Sequence, residues 1–154
     1  MPKRSAGLLM YRRASRALEV LLVHPGGPFW AKKDAGAWSI SKGEYDEGED
    51  ALTVAKREFS EEVGAAPDGA FLDLGELIQP GRKRVRAFAL EGDFDVSHLQ
   101  SNTFELEWPP KSGRKQSFPE VDRAEWFSLP AAEEKLLPGQ RPLLASLVAL
   151  LEKA

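Results

Sequence analysis

The 154 residues include no cysteine. Disulfides, thiolate nucleophiles and cysteine-held metals are therefore excluded, and the absence fits a reducing compartment. Histidine is almost as scarce. His24 and His98 are the only two, and neither has a partner at metal-ligand spacing, so both read as structural. No Ser-His-Asp arrangement and no Walker A loop is present. Long apolar runs are also missing. The opening "MPKRSAGLLMYRR" holds an apolar run of about four residues, short of the ~7–15 of a signal peptide, and nothing approaches the ~20 of a membrane helix. Charge of one sign does not dominate either. Twenty-one basic residues face 24 acidic ones, a net charge of −3, which leaves no electrostatic footprint for duplex nucleic acid. These exclusions imply a cytoplasmic protein without a membrane or duplex partner. The length implies one domain over residues 1–154, large enough to bury a core.

What the chain does have is a succession of short apolar segments. Residues 6–12 and 18–24 read as two strands joined by the polar "RASR". The Pro/Gly-rich 24–36 is a loop. "AWSIS" (37–41) alternates like a strand, and "KGEYDEGED" after it reads as an acidic loop. Over 50–63, Leu52, Ala55, Phe59 and Val63 recur at helical spacing. Asp50 and Glu49 stand at the positive end of the helix dipole, and Gly64 and Pro67 stop the helix. Strands follow over 70–79 and 84–90, flanking the basic turn "PGRK", then over 101–108. Residues 109–120 read as a polar, mobile loop. "AEWFSL" (124–129) is a strand, and 141–153 form a C-terminal helix. The order implies an α/β fold, a mixed sheet covered by helices on both faces.

The segment "REFSEEVG" (57–64) is costly as a bare helix, because like charges at i,i+4 lose roughly 0.2–0.5 kcal/mol per pair. At ~100° per residue, Glu58, Glu61 and Glu62 fall in an arc of about 100° on the shoulder of the apolar stripe, with Glu62 nearest the core. A solvated acidic face is one reading. A hard divalent cation with oxygen ligands is the other, since Mg²⁺ keeps free positions for phosphate oxygens and water. A calcium loop over 46–58 fails, because Ala51 and Arg57 occupy the positions that need glycine and glutamate.

The surrounding "GEYDEGEDALTVAKREFSEEVGA" (43–65) decides between the readings. Gly43, Glu49, Arg57-Glu58, Phe59, Glu61-Glu62 and Gly64 have the order and spacing of the Nudix box, and the chain is identified as a member of the Nudix hydrolase family. The opening strands, the tryptophan-containing segment before the box and "AEWFSL" resemble the rest of that family's α/β/α sandwich, in which the box is a central loop-helix-loop. The resemblance implies a pyrophosphohydrolase acting on a diphosphate linked to another group, with Mg²⁺, or Mn²⁺ in its place, as cofactor. It makes Glu58, Glu61 and Glu62 metal ligands, joined by a backbone carbonyl near Lys42–Gly43. Arg57 orients the box glutamates in an ion-pair network with Glu49. Two positions depart from the family pattern: Ala65 replaces a large aliphatic, and Ser41 replaces a common proline, which removes a fixed φ from the loop.

Two carboxylates are candidates for the base that takes a proton from the attacking water, Glu58 and Glu120. Lys42, Arg84 and Arg86 are candidates for substrate phosphate; Arg82, Arg84 and Arg86 share one side of a strand by two-residue alternation, although a charge-protected edge strand would show the same pattern. Phe29 and Trp30 in the Pro/Gly-rich loop are candidates to stack on a base, whereas Trp38 and Trp126 read as core. The expected substrate is a nucleotide or polyphosphate. "RSAGLLMYRR", "KGE" and "GEDAL" resemble the branch acting on dinucleoside polyphosphates, with nucleoside triphosphates as the nearest rival. A different class of function, a Nudix fold serving as a ligand sensor, is disfavoured by the complete set of box glutamates. The expected assembly is a monomer or homodimer.

Overall fold

The computed structural model describes residues 4–14 and 17–153; the opening "MPK" and the end of the expected "RASR" connection lie outside them. Strands β1 (Arg4–Ala14) and β2 (Ala17–Pro25) carry near-continuous apolar runs, "GLLMY" and "VLLV". Such runs belong to strands covered on both faces. They are followed by β3 (Ser41–Glu44), helix α1 (Ala51–Val63), β4 (Phe71–Gln79), β5 (Lys83–Glu91), β6 (Thr103–Glu107), β7 (Lys115–Pro119), β8 (Val121–Ser128), helix α2 (Leu129–Lys135) and helix α3 (Pro142–Glu152). The main sheet runs β4-β5-β1-β2-β8; β1 and β5 are parallel and the other pairs antiparallel.

The edge of β1 opposite β5 is shared. Its end, Tyr11–Ala14, pairs with β2, and its start, Ser5–Leu8, pairs with β3. The two partners therefore diverge along one strand. Helix α1 covers one face, packing Val54, Ala55, Phe59 and Val63 with Ala6, Leu8, Met10 and Phe88. Helices α2 and α3 cover the other, where Leu136, Leu143 and Leu147 meet Leu9, Trp38 and Val85. This is the expected mixed sheet between helical layers. No helix among the described residues is long and apolar enough to cross a membrane.

Several local expectations are corrected. "AWSIS" makes only isolated bridges at Trp38 and Ser39, while the strand begins at Ser41 and runs through "KGE". The reason is Gly7: a Cβ there would lie 2.7 Å from the Ser41 carbonyl oxygen, so β3 can close on β1 only beside a residue without a side chain. Residues 109–120 are not a loop throughout. Lys115–Pro119 pairs with Thr103–Glu107 as a separate two-stranded arm. The short α2, capped by the Ser128 hydroxyl, was not apparent from periodicity, since seven residues give fewer than two full turns. Trp38 is core as expected, but Trp126 is only half-buried, with the Arg12 guanidinium 4.2 Å from its ring centre.

Candidate functional site

Helix α1 begins at Asp50, whose carboxylate accepts the Thr53 N–H and hydroxyl at 3.0 and 2.8 Å, a cap worth about 1 kcal/mol. It ends at Gly64, at φ 91°, with its N–H donated to the Ser60 carbonyl. Val54 belongs to the buried face, which the apolar stripe over 52–63 missed; Leu52 is only half-buried. Val54 and Ala55 flank the arc holding Glu58 and Glu62, at ~100° per residue. Glu62 thus projects from within the buried face rather than from its shoulder, and is 8 % exposed.

Burial, then the neighbouring Glu58 and Glu120 charges, push Glu62 up to about 8, against the pull of Lys42. Lys42 is displaced downward, first by burial. Desolvation thus drives both members of this pair toward neutrality, and their mutual attraction does not offset it. Glu58 is also raised, chiefly by burial and then by Glu61.

Glu58 is held from two sides. A Cβ on Gly43 would come within 2.1 Å of its carboxyl carbon, so the absent side chain is what lets this carboxylate lie on the β3 backbone. The Arg57 guanidinium stands 3.6 Å from Glu58 and 3.4 Å from Glu49, whose other oxygen accepts the Asp46 N–H. Arg57 thus faces both Glu58 and Glu49. Glu61 is partly exposed one turn beyond.

Glu120 reaches the same place through backbone hydrogen bonds. The Asn102 N–H donates to the Glu61 carbonyl, the Glu120 N–H to the Asn102 carbonyl, and the Gly26 N–H to the Glu120 carbonyl, at 2.8, 2.8 and 2.9 Å. The end of α1, the root of the β6–β7 arm and the end of β2 are thereby joined, and the Glu120 charge is felt at both Glu58 and Glu62. A cavity of about 230 Å³ opens beside it, where Val23 and Pro25 of β2, Trp30, Lys42, Glu62 and Glu120 all contribute to the wall.

Arg84 and Arg86 do not line this cavity. They lie on β5 and pair with Glu76 (3.3 Å) and Asp73 of β4. His24 is fully buried and structural: its Nδ1 faces the Asp122 carboxylate at 2.7 Å and its Nε2–H donates to the Lys33 carbonyl at 2.6 Å. His98 lies exposed on a short 3₁₀ turn. Trp108, at the end of β6, received no role from sequence. Its alternation with Phe104 and Leu106 on one strand face was the available signal.

Among the described residues, no three acidic or histidine side chains are close enough together to hold a metal by themselves. Mg²⁺ is commonly held by one or two carboxylates together with waters. Carboxylate oxygens at Glu58 and Glu62, partly removed from water and repelling each other beside the β3 backbone, are donors of the right chemistry for it.

Comparison with known proteins bears on the same segment. The family profile described as NUDIX domain matches residues 1–147. The chain belongs to the Nudix family. The RNA pyrophosphohydrolase of Rhizobium meliloti (strain 1021) is 33% identical to it over 129 residues, covering 73% of this chain and 71% of that protein. Among solved structures, a C. elegans Ap4A hydrolase in a binary complex superposes with a TM-score of 0.65 at 23% identity, covering 97% of this chain and 99% of that one. The Nudix domain of Shewanella oneidensis NrtR, complexed with ADP ribose, gives 0.66 at 15% identity, covering 98% and 89%. These two likenesses show the Nudix fold.

Proposed function

We propose that residues 1–154 act as one catalytic domain that hydrolyses a pyrophosphate bond in a nucleoside diphosphate derivative, either a dinucleoside polyphosphate or a nucleoside triphosphate. The observation that carries this reading is the convergence of Glu62, Glu120 and Lys42 on one cavity, with the Glu58 charge felt at Glu62. Glu58, Glu62 and the backbone carbonyl near Gly43, with waters, would hold a divalent cation, Mg²⁺ or Mn²⁺, and Glu61, one turn beyond, would join them only after moving toward the pair. When bound, such a cation neutralises phosphate oxygens and acidifies water.

The protein's own groups do the rest. Arg57 fixes Glu58 against Gly43, so that carboxylate is positioned before substrate arrives. Lys42 presents a positive charge to the phosphates. Glu120 is exposed at the cavity and suits the removal of a proton from the attacking water, with Glu58 as the other candidate. Val23, Ala37 and Ile40 add apolar surface to the cavity wall.

The test is hydrolysis of a panel of dinucleoside polyphosphates, nucleoside triphosphates, nucleotide sugars and, given the Rhizobium relative, phosphorylated RNA, with and without Mg²⁺. The expected result is divalent-dependent release of a phosphorylated product. Full activity in excess EDTA would overturn the metal role. Failure to cleave any diphosphate would overturn the catalytic reading.

A further inference from the structure

Both ring nitrogens of the fully buried His24 face acceptors. Nδ1 lies 2.7 Å from the Asp122 carboxylate, and Nε2 lies 2.6 Å from the Lys33 carbonyl oxygen. The Trp38 ring stands edge-on to the imidazole, with ring centres 5.1 Å apart. A neutral imidazole has one N–H and one bare nitrogen. It would satisfy one of these oxygens and set lone pair against lone pair at the other, away from water. A second proton resolves the conflict, and it sits either on the ring or on Asp122. Asp122 is partly exposed and has the Arg123 Nε at 3.9 Å, surroundings that suit an anion. The ring is the group left to carry the proton, as an imidazolium with two charge-assisted hydrogen bonds.

Neighbouring charges are engaged elsewhere. Asp34, the one acidic residue between β2 and β3, binds Lys135 of α2 and the Trp38 indole. The Lys33 ammonium lies 5.1 Å from the Trp30 ring centre, and the Arg123 guanidinium lies 5.1 Å from that of Trp38.

A β-bulge brings Asp122 to this place. His24 pairs with Arg123 and Pro25 with Val121, so Asp122 is the extra residue of β8. Val121 and Ala124, three apart on one strand, would alternate to opposite faces. Both nevertheless pack in the core beneath α1. The bulge turns Val121 back to that face, and Val121 and Glu120 then reach the cavity wall. Asp122 anchors this displaced segment. The Lys33 carbonyl anchors the loop after β2, because the Lys33 N–H donates to the Trp30 carbonyl at 3.0 Å, and Trp30 lines the same cavity. One ring thus joins the strand that carries Glu120 to the loop that carries Trp30.

We propose that His24 is a buried imidazolium and a positioning residue, which through Asp122 and the Lys33 carbonyl holds Glu120 and Trp30 on the cavity. The positioning role rests on the proposed anhydride hydrolysis, with Glu120 as its base. The proton count does not.

Long-range proton–nitrogen NMR of the metal-free protein at neutral pH reads the proton count, and His98→Gln leaves His24 as the only histidine signal. Both ring nitrogens of His24 should be protonated. In Asp122→Asn the side-chain amide can donate to Nδ1, so that nitrogen should lose its proton while both connections persist. A bare ring nitrogen in the native protein, or two protonated nitrogens in Asp122→Asn, would overturn the imidazolium.

Hydrolysis of a nucleotide anhydride with Mg²⁺ reads the positioning. Asp122→Ala should lower kcat by about ten- to one-hundredfold, as for a misplaced catalytic group, with KM within about threefold of native. Asp122→Asn should restore kcat to within about threefold of native, because it keeps both hydrogen bonds. In a Glu120→Gln background, Asp122→Ala should cost less than about threefold more, since the two act through one group. Equal losses in both backgrounds, or no rescue by Asn, would overturn the positioning role and leave the catalytic reading standing. A protein that cleaves no anhydride would overturn the catalytic reading and the positioning role together, while the imidazolium still stands or falls on the NMR result.

Discussion

On the side of the sheet covered by α2 and α3, the wholly buried polar residue is paired, although the Nε of half-buried Arg141 at the start of α3 has no hydrogen-bond partner among the described residues. Gln140, fully buried, accepts the Ile40 N–H at 3.0 Å and donates to the Ser39 hydroxyl at 2.9 Å. On the side covered by α1, the buried polar groups are not settled in this way. Glu62 is pushed up to about 8 among other carboxylates, and the buried Ser41 hydroxyl finds no hydrogen-bond partner among the described residues. The two sides bury similar aliphatic side chains, so apolar packing does not set them apart. The difference lies in what the wholly buried polar residue meets: the neutral Gln140 amide is matched by its neighbours, whereas the Glu62 carboxyl is buried among like charges, as at a site poised for a cation.

The sharpest way to break the comparison is to make the α1 side resemble the other. Glu62→Gln should lower the rate of anhydride hydrolysis by at least about a thousandfold, because it removes a charge that the proposed metal mechanism requires. The same variant should raise metal-free stability at alkaline pH. A carboxyl raised in the folded state contributes stability that is fully present below its unfolded value of about 4.5 and is lost as pH rises through about 8. That loss is on the order of 4–5 kcal/mol at ~1.36 kcal/mol per pH unit. Urea unfolding in EDTA between pH 4.5 and 9 should show native stability falling relative to Glu62→Gln; parallel curves would mean that Glu62 is not desolvated.

Gly43→Ala is next. Its Cβ would collide with the Glu58 carboxyl, so hydrolysis should fall by about a hundredfold, in line with a misplaced catalytic group. Its melting temperature should move much less than its activity. Gln140→Ala should do the reverse. It orphans the Ile40 N–H and should cost about 1–3 kcal/mol of stability in denaturant titration, with the turnover of the remaining folded protein close to native. Ser41→Ala should have the smallest effect: loss of an unpaired buried hydroxyl should leave stability unchanged or raise it by up to about 1 kcal/mol.

Much of the site was legible in the sequence because it is local. Asp50, Phe59 and Gly64 state where α1 begins, which way it faces and where it stops, and the spacing of Glu58, Glu61 and Glu62 follows from one helix. Glu120 was legible only as a candidate, since its route to the site runs through hydrogen bonds from Asn102 to Glu61 and from Gly26 to Glu120, which join residues distant along the chain. The second strand of the arm was missed because "KQSFP" is polar and exposed, and a strand that buries little leaves little periodicity to read.

The sequence by itself determined the helix, its caps, the glycines and the set of carboxylates, because each depends on neighbours within a turn or two. Only the tertiary structure decided that Glu62 is buried, that Glu58 rests on Gly43, that Arg84 and Arg86 are engaged by β4, and that Phe29 meets Trp108. Burial and electrostatic coupling depend on what packs opposite a residue, and here those partners come from β3, β4 and the β6–β7 arm, far along the chain from the residues they act on.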